Sequence, residues 1–122
     1  MDMTALDKLG IDTEEGLAYC ADDPEFYEEM LTEFIAEGSS GCSDLKKHFE
    51  NRDWKHYGIS AHTIKSTSRM IGAKALSEKA REMETACREE NGSALIAEHD
   101  SFTAELAELL KGLRAVKGTV AE

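Results

Sequence analysis

The chain has little of what builds sheets, crosses membranes or staples small secreted folds. A single proline, Pro24, and few β-branched runs among 122 residues argue against a β-sheet. No apolar run approaches the ~18 residues that a membrane span requires. No basic-then-apolar leader occupies Met1 to Ala18, so the expected location is the cytoplasm. The three cysteines, Cys20, Cys42 and Cys87, form an odd set without C-x-x-C spacing. They suggest neither a disulfide framework nor a zinc site and read as reduced, small hydrophobes. Positive charge is scarce as well: 14 Lys and Arg stand against 25 Asp and Glu, a formal net charge of −11. Nucleic acid is therefore an unsuitable partner, because phosphate contacts need a basic footprint. There is no glycine-rich nucleotide loop, and no metal-ligand spacing of carboxylates surrounds the candidate site described below.

What is present is helical punctuation. Asp12-Thr13-Glu14-Glu15 has capping-box spacing and predicts a short helix through about Cys20. Asp23-Pro24 supplies an N-cap and an N1 proline for a longer helix with an apolar stripe of Phe26, Tyr27, Met30, Leu31, Phe34 and Ile35. Gly38-Ser39-Ser40-Gly41 is a break signal. Yet Cys42, Leu45 and Phe49 stay in phase with Leu31 and Ile35, so these residues leave both a break and one helix to about Glu50 open. Asp53 caps the next helix, whose seam is Tyr57, Ala61, Ile64, Ser68 and Ile71, and Gly72 closes it. Leu76, Ala80, Met83 and Cys87 mark a third long helix. After Asn91-Gly92-Ser93, a fourth carries Leu95, His99, Phe102, Leu106, Leu109, Leu113 and Val116. The predicted fold is all-α: an antiparallel up-down-up-down four-helix bundle, with a short additional N-terminal helix covering one end and a tail that frays after Lys117. Trp54 is expected to plug a bundle end and to reach toward the short first helix.

His62 lies off the buried seam. Its helical neighbours are Gly58, Lys65 and Ser66, with Arg69 one turn further on, which predicts an uncrowded ring beside two cations. Between residues 52 and 74 five cations, Arg52, Lys55, Lys65, Arg69 and Lys74, face Asp53 alone, a positive island in an acidic chain. A neutral imidazole is a good nucleophile at physiological pH. Of the other histidines, His99 falls on the apolar seam as a core-edge residue, whereas His48 and His56 read as solvated. His56 and His62 stand on opposite sides of a helix and make no metal pair.

The run His62-Thr63-Ile64-Lys65-Ser66 followed by Gly72-Ala73 resembles the phosphorylation motif of histidine-containing phosphotransfer (HPt) domains, the relay modules of multistep two-component signalling. Ser66 stands where that family commonly has glycine. The resemblance extends from Leu17-Ala18-Tyr19 and Phe26-Tyr27 to Leu76, Ala80 and Met83-Glu84, the last matching the family's hydrophobic-Glu pair. It implies one domain over residues 1–122, with a core of about 12–117, and favours a continuous helix through Gly38. It implies a phosphocarrier without its own kinase or nucleotide site, in which His62 accepts a phosphoryl group from a receiver-domain aspartate and passes it to another. Lys65, Ser66 and Arg69 would support the phosphate, Gly58 and Gly72 would give clearance, and Lys55, Ile59 and Met70 would contact the docked partner. No cofactor is implied in the chain itself; Mg²⁺ would come from the receiver, and the protein would act as a monomer. Two rivals are an unphosphorylated helical-bundle adaptor and a dimeric phosphoacceptor segment of a sensor kinase. Thr63 disfavours the second, because an acidic residue normally follows the histidine there.

Overall fold

The computed structural model describes residues 2–120, with side chains as far as Val116. It contains helices α1 (Met3–Lys8), α2 (Thr13–Tyr19), α3 (Pro24–Glu50), α4 (Trp54–Met70), α5 (Lys74–Arg88) and α6 (Gly92–Val120), and no strand among the described residues. The four long helices pack in a closed ring in which α3 touches α4, α4 touches α5, α5 touches α6 and α6 returns to α3.

Each long helix turns one periodic stripe inward. The α4 seam is Tyr57, Ala61, Ile64, Ser68 and Ile71, all buried, and Ser68 is accommodated because its hydroxyl donates to the Ile64 carbonyl. Facing it are Leu31, Phe34 and Leu45 of α3, Leu76, Ala80 and Met83 of α5, and Leu95, Phe102, Leu106, Leu110 and Leu113 of α6. Phe26 departs from the expected stripe: at 39% exposure it lies on the solvent side of the first α3 turn. The α3 helix is continuous through the Gly38–Gly41 segment. A Cβ on Gly38 would stand 2.4 Å from Leu110 Cδ2, so the missing side chain lets α3 and α6 approach.

The connections share one chemistry. At the ends of α1 to α5 the residue two beyond the last helical one has positive φ: Gly10, Ala21, Arg52, Gly72 and Glu90. The next amide then reaches back to a carbonyl of the last turn, as in Asp53 N–H to His48 O at 2.8 Å, Ala73 to Ser68 at 2.9 Å and Asn91 to Ala86 at 2.8 Å. These are Schellman closures, which satisfy carbonyls that the helix leaves unpaired. Asp12, Asp23, Asp53 and Asn91 then cap the helices that follow with side-chain oxygens.

Three expectations are corrected. The amino-terminal region holds a second short helix, α1, anchored by buried Leu6 and capped by Asp2. Trp54 packs at 5.9 Å from Phe49 and 6.1 Å from Tyr57, beside Gly92. It therefore lies at the end opposite α1 and α2, which attach where α4 terminates. There the Asp12 amide donates to the Gly72 carbonyl at 2.8 Å and the Tyr27 hydroxyl to the Ile71 carbonyl at 2.8 Å. Finally, α6 continues to Val120 instead of ending near Lys117, and residues 121 and 122 of the expected frayed tail lie outside the described residues.

Candidate functional site

His62 stands half-way along α4 with its side chain 59% exposed. Because Ala61 and Ile64 occupy the buried seam, the 3.6-residue period places position 62 outside it. The ring is oriented across the helix pair. Its Nδ1 lies 2.7 Å from Oε2 of Glu84 on α5, and Oε1 of the same carboxylate accepts from Lys65 Nζ at 2.7 Å. A carboxylate only accepts, so Nδ1 carries the hydrogen and Nε2, with its lone pair, is the outward nitrogen. Burial raises the Glu84 pKa, but the hydrogen bonds from Lys65 and His62 outweigh it and hold the carboxyl below its ordinary value.

This geometry corrects the expectation of a simply electropositive ring. Lys65 is half-buried and its ammonium is turned to Glu84, so it reaches the imidazole through that carboxylate. Arg69 is directed elsewhere: its Nε donates to the Tyr19 hydroxyl of α2 at 2.9 Å, with the guanidinium 5.8 Å from the Tyr19 ring centroid. Lys74, also part of the positive island, pairs with Asp12 and Glu15. Ser66 is exposed on the outer face of α4.

The two glycines differ in surroundings. Gly58 sits against α5, where a Cβ would meet Cys87 Cβ at 3.2 Å. Gly72 has φ +86° and a Cβ there would fall 2.0 Å from the Asp12 carbonyl oxygen. The clearance at Gly72 therefore serves the α2 attachment, about 15 Å along the helix from His62 at 1.5 Å per residue. Ile59 is an exposed apolar side chain at 57%, Lys55 is exposed and Met70 is half-buried.

His62 borders an open recess of about 350 Å³ between α4 and α5, lined also by Trp54, Lys55, Gly58, Glu84, Cys87 and Arg88. A second groove, about 370 Å³, runs on the other side of Ile59 between α3 and α4, over Phe34, Gly41, Ile64 and Thr67. Burial, and then the Glu84 charge, push the Cys87 thiol up to about 11, which keeps it protonated. No group of three or more His, Cys, Asp or Glu side chains suited to a metal ion occurs among the described residues.

The profile of the Hpt domain matches residues 29–116, most of the chain. The chain belongs to the Hpt domain family. Hpt domains are helical bundles that carry phosphoryl groups on histidine in phosphorelays and interact with receiver domains. Comparison with curated proteins and with solved structures gives no match. The matched region begins within α3, so α1, α2 and the α3 start, including Tyr19 and Tyr27, lie outside it. No described helix is long and apolar enough to cross a membrane.

Glu84 is the site residue that local spacing did not supply, since it lies 22 positions from His62. The signal available was the resemblance of Met83-Glu84 to the family's hydrophobic-Glu pair.

Proposed function

We propose that this Hpt protein is a phosphocarrier that accepts a phosphoryl group on Nε2 of His62 from a receiver aspartate and gives it to another. The observation that carries the reading is the His62 to Glu84 hydrogen bond at 2.7 Å on a solvent-open ring. It fixes the tautomer, so that the lone pair of Nε2 points outward.

In the forward step that lone pair attacks phosphorus and the N–P bond forms. The P–O bond to the receiver aspartate breaks, and its electron pair returns to the carboxylate. The proton stays on Nδ1, and the positive charge gained by the ring is met by Glu84. The reverse sequence on a second receiver regenerates the starting ring. Such transfer is governed by positioning and charge neutralisation. Lys65 acts on the ring through Glu84, and exposed Ser66 keeps the outer face of α4 low where a partner approaches. Arg69, held by Tyr19, belongs to the rim and not to the phosphate.

Docking would use Ile59 with Lys55 beside it, while Met70 lies further along α4. The receiver supplies Mg²⁺ and its acidic pocket, the carrier works as a cytoplasmic monomer, and residues 1–122 act as one unit without a nucleotide site. The up-down-up-down course belongs to this reading. It is supported by pairs that run in opposite order: Phe49 with His99 and Gly38 with Leu110 across α3 and α6, Gly58 with Cys87 and His62 with Glu84 across α4 and α5.

The test is labelling by a phosphorylated receiver domain. Acid-labile, alkali-stable label is expected on the protein and absent from His62→Gln, whose fold is expected to change by less than about 0.5 kcal/mol because the position is exposed. Label retained by that variant would move the site, and an unlabelled wild-type protein that still binds the receiver would make the domain an adaptor.

A further inference from the structure

We infer that His48 and His56 form a paired imidazole site for a divalent transition ion of the zinc, nickel or copper kind, which clips the end of α3 to the start of α4. His48 lies in the last turn of α3 and His56 in the first turn of α4. Their rings stand 5.6 Å apart, centroid to centroid, and 32° from parallel. Two imidazoles that share one tetrahedral ion, each nitrogen about 2.0–2.1 Å from it, have centroids about 5–6 Å apart. The pair already has that separation, whereas Phe49 and His99 close to 3.8 Å where rings stack.

One residue prepares both ligands. The Asp53 amide donates to the His48 carbonyl at 2.8 Å, which fixes the backbone from which His48 projects. The Asp53 side chain accepts from the His56 amide through Oδ1 at 3.2 Å and from His56 Nδ1 through Oδ2 at 2.7 Å. The His56 amide lowers the Asp53 pKa most, desolvation opposes the shift and the His56 ring adds to it, leaving a charged carboxylate. Nδ1 therefore carries the hydrogen, and the lone pair of His56 sits on Nε2, away from Asp53. A carboxylate behind the far nitrogen orients a ligand imidazole and raises its basicity. The His48 ring makes no hydrogen bond or ion pair among the described residues, so in either tautomer it offers one lone pair. Arg52, the cation of the turn, is engaged on Phe49: its guanidinium lies 4.6 Å from the ring centroid and donates to the carbonyl at 3.0 Å.

With two protein nitrogens, water completes the coordination, which keeps the pair below the three-ligand groups of closed sites. Imidazole suits zinc, nickel and copper, whereas magnesium and calcium take oxygen ligands. The bound ion would cross-link two helices about 9 Å along α4 from His62. It requires nothing of the phosphoryl chemistry, so the two readings stand or fall separately.

The experiment titrates Zn²⁺ and Ni²⁺ into the full chain at about pH 7.5 by calorimetry, with Mg²⁺ for comparison, and follows thermal unfolding with each ion. One ion per chain is expected, with a rise of a few degrees in Tm that EDTA reverses and Mg²⁺ does not reproduce. His48→Gln and His56→Gln are each expected to weaken binding by about tenfold or more. Asp53→Ser, which keeps an N-cap oxygen but cannot span to the ring, is expected to weaken it by about tenfold. His62→Gln and Cys87→Ser are expected to bind as wild type, with helicity unchanged throughout. Binding that survives loss of both His48 and His56, that disappears in His62→Gln or Cys87→Ser instead, or that Mg²⁺ matches would overturn the inference. So would a wild-type protein that takes up neither Zn²⁺ nor Ni²⁺ at micromolar concentration.

Discussion

Glu84 accepts a hydrogen bond from His62 Nδ1 through one oxygen and from the Lys65 ammonium through the other, each at 2.7 Å. One carboxylate thus sets the tautomer of the imidazole and occupies the nearest cation on the same helix. The three groups form a chain, Lys65 to Glu84 to His62, and their contributions are ordered by their place in it.

Glu84→Ala is expected to slow phosphoryl acceptance by about 10- to 100-fold, since a charge-assisted hydrogen bond contributes about 1.5–3 kcal/mol. Glu84→Gln, whose amide oxygen still accepts from Nδ1, falls between that variant and wild type. Lys65→Ala costs less than Glu84→Ala, because the carboxylate remains to orient the ring. Single-turnover labelling rates check the order, and a larger loss from Lys65→Ala would place the ammonium directly on the phosphate.

Gly72→Ala is expected to destabilise the protein by about 2 kcal/mol or more. Positive φ strains any residue with a Cβ, and the new atom would fall on the Asp12 carbonyl. Denaturant titration measures the loss. Under conditions where the variant is folded, label uptake at His62 is expected to persist, since Gly72 serves the attachment of α2.

Glu90→Gly is expected to stabilise by about 0.5–1 kcal/mol. Glu90 holds φ 54° at the α5 closure and is exposed there, so glycine relieves the left-handed strain at the cost of greater freedom when unfolded. An unchanged or lowered unfolding midpoint would show that the side chain has a stabilising role of its own.

His99 gives the fold an acid-sensitive point. The residue is 5% exposed, with its ring stacked on Phe49 at 3.8 Å and hydrogen-bonded to the Tyr57 hydroxyl at 2.8 Å. Burial lowers its pKa from 6.5; Asp100 opposes the shift, while Lys46 and Arg52 add to it. With the folded pKa below the unfolded one, the stabilisation is present above about 6.5 and is lost as pH falls through the folded value. His99→Gln is expected to lower stability at neutral pH but to flatten its pH dependence on the acid side of about pH 6.5, where the buried ring must gain its proton. Equal slopes for both proteins would assign the dependence to other groups.

The sequence was most legible where one period governs many residues. The α4 seam was readable in full because five buried positions follow a helical repeat and leave His62 outside. Charged side chains were less legible, since an Arg or Lys reaches for partners on other helices. Reading Arg69 from its own helix placed it beside His62, whereas the hydroxyl of Tyr19, 50 positions away, holds it. The helix closures at Ala21, Arg52 and Glu90 carried no glycine to announce them. Helix α1 has one fully buried side chain, Leu6, too little for an apolar period to show.

The return of α6 to α3 has a consequence for the nascent chain. The α3, α4 and α5 helices meet through neighbours in sequence, a local and rapid kind of assembly, whereas sealing the ring joins residues as distant as Gly38 and Leu110. On the ribosome the first three long helices emerge before their cover, with the apolar faces of Phe34, Leu45 and Tyr57 still wet until the last segment arrives. The interval before that arrival is when this domain is most open to chaperones, proteases and self-association.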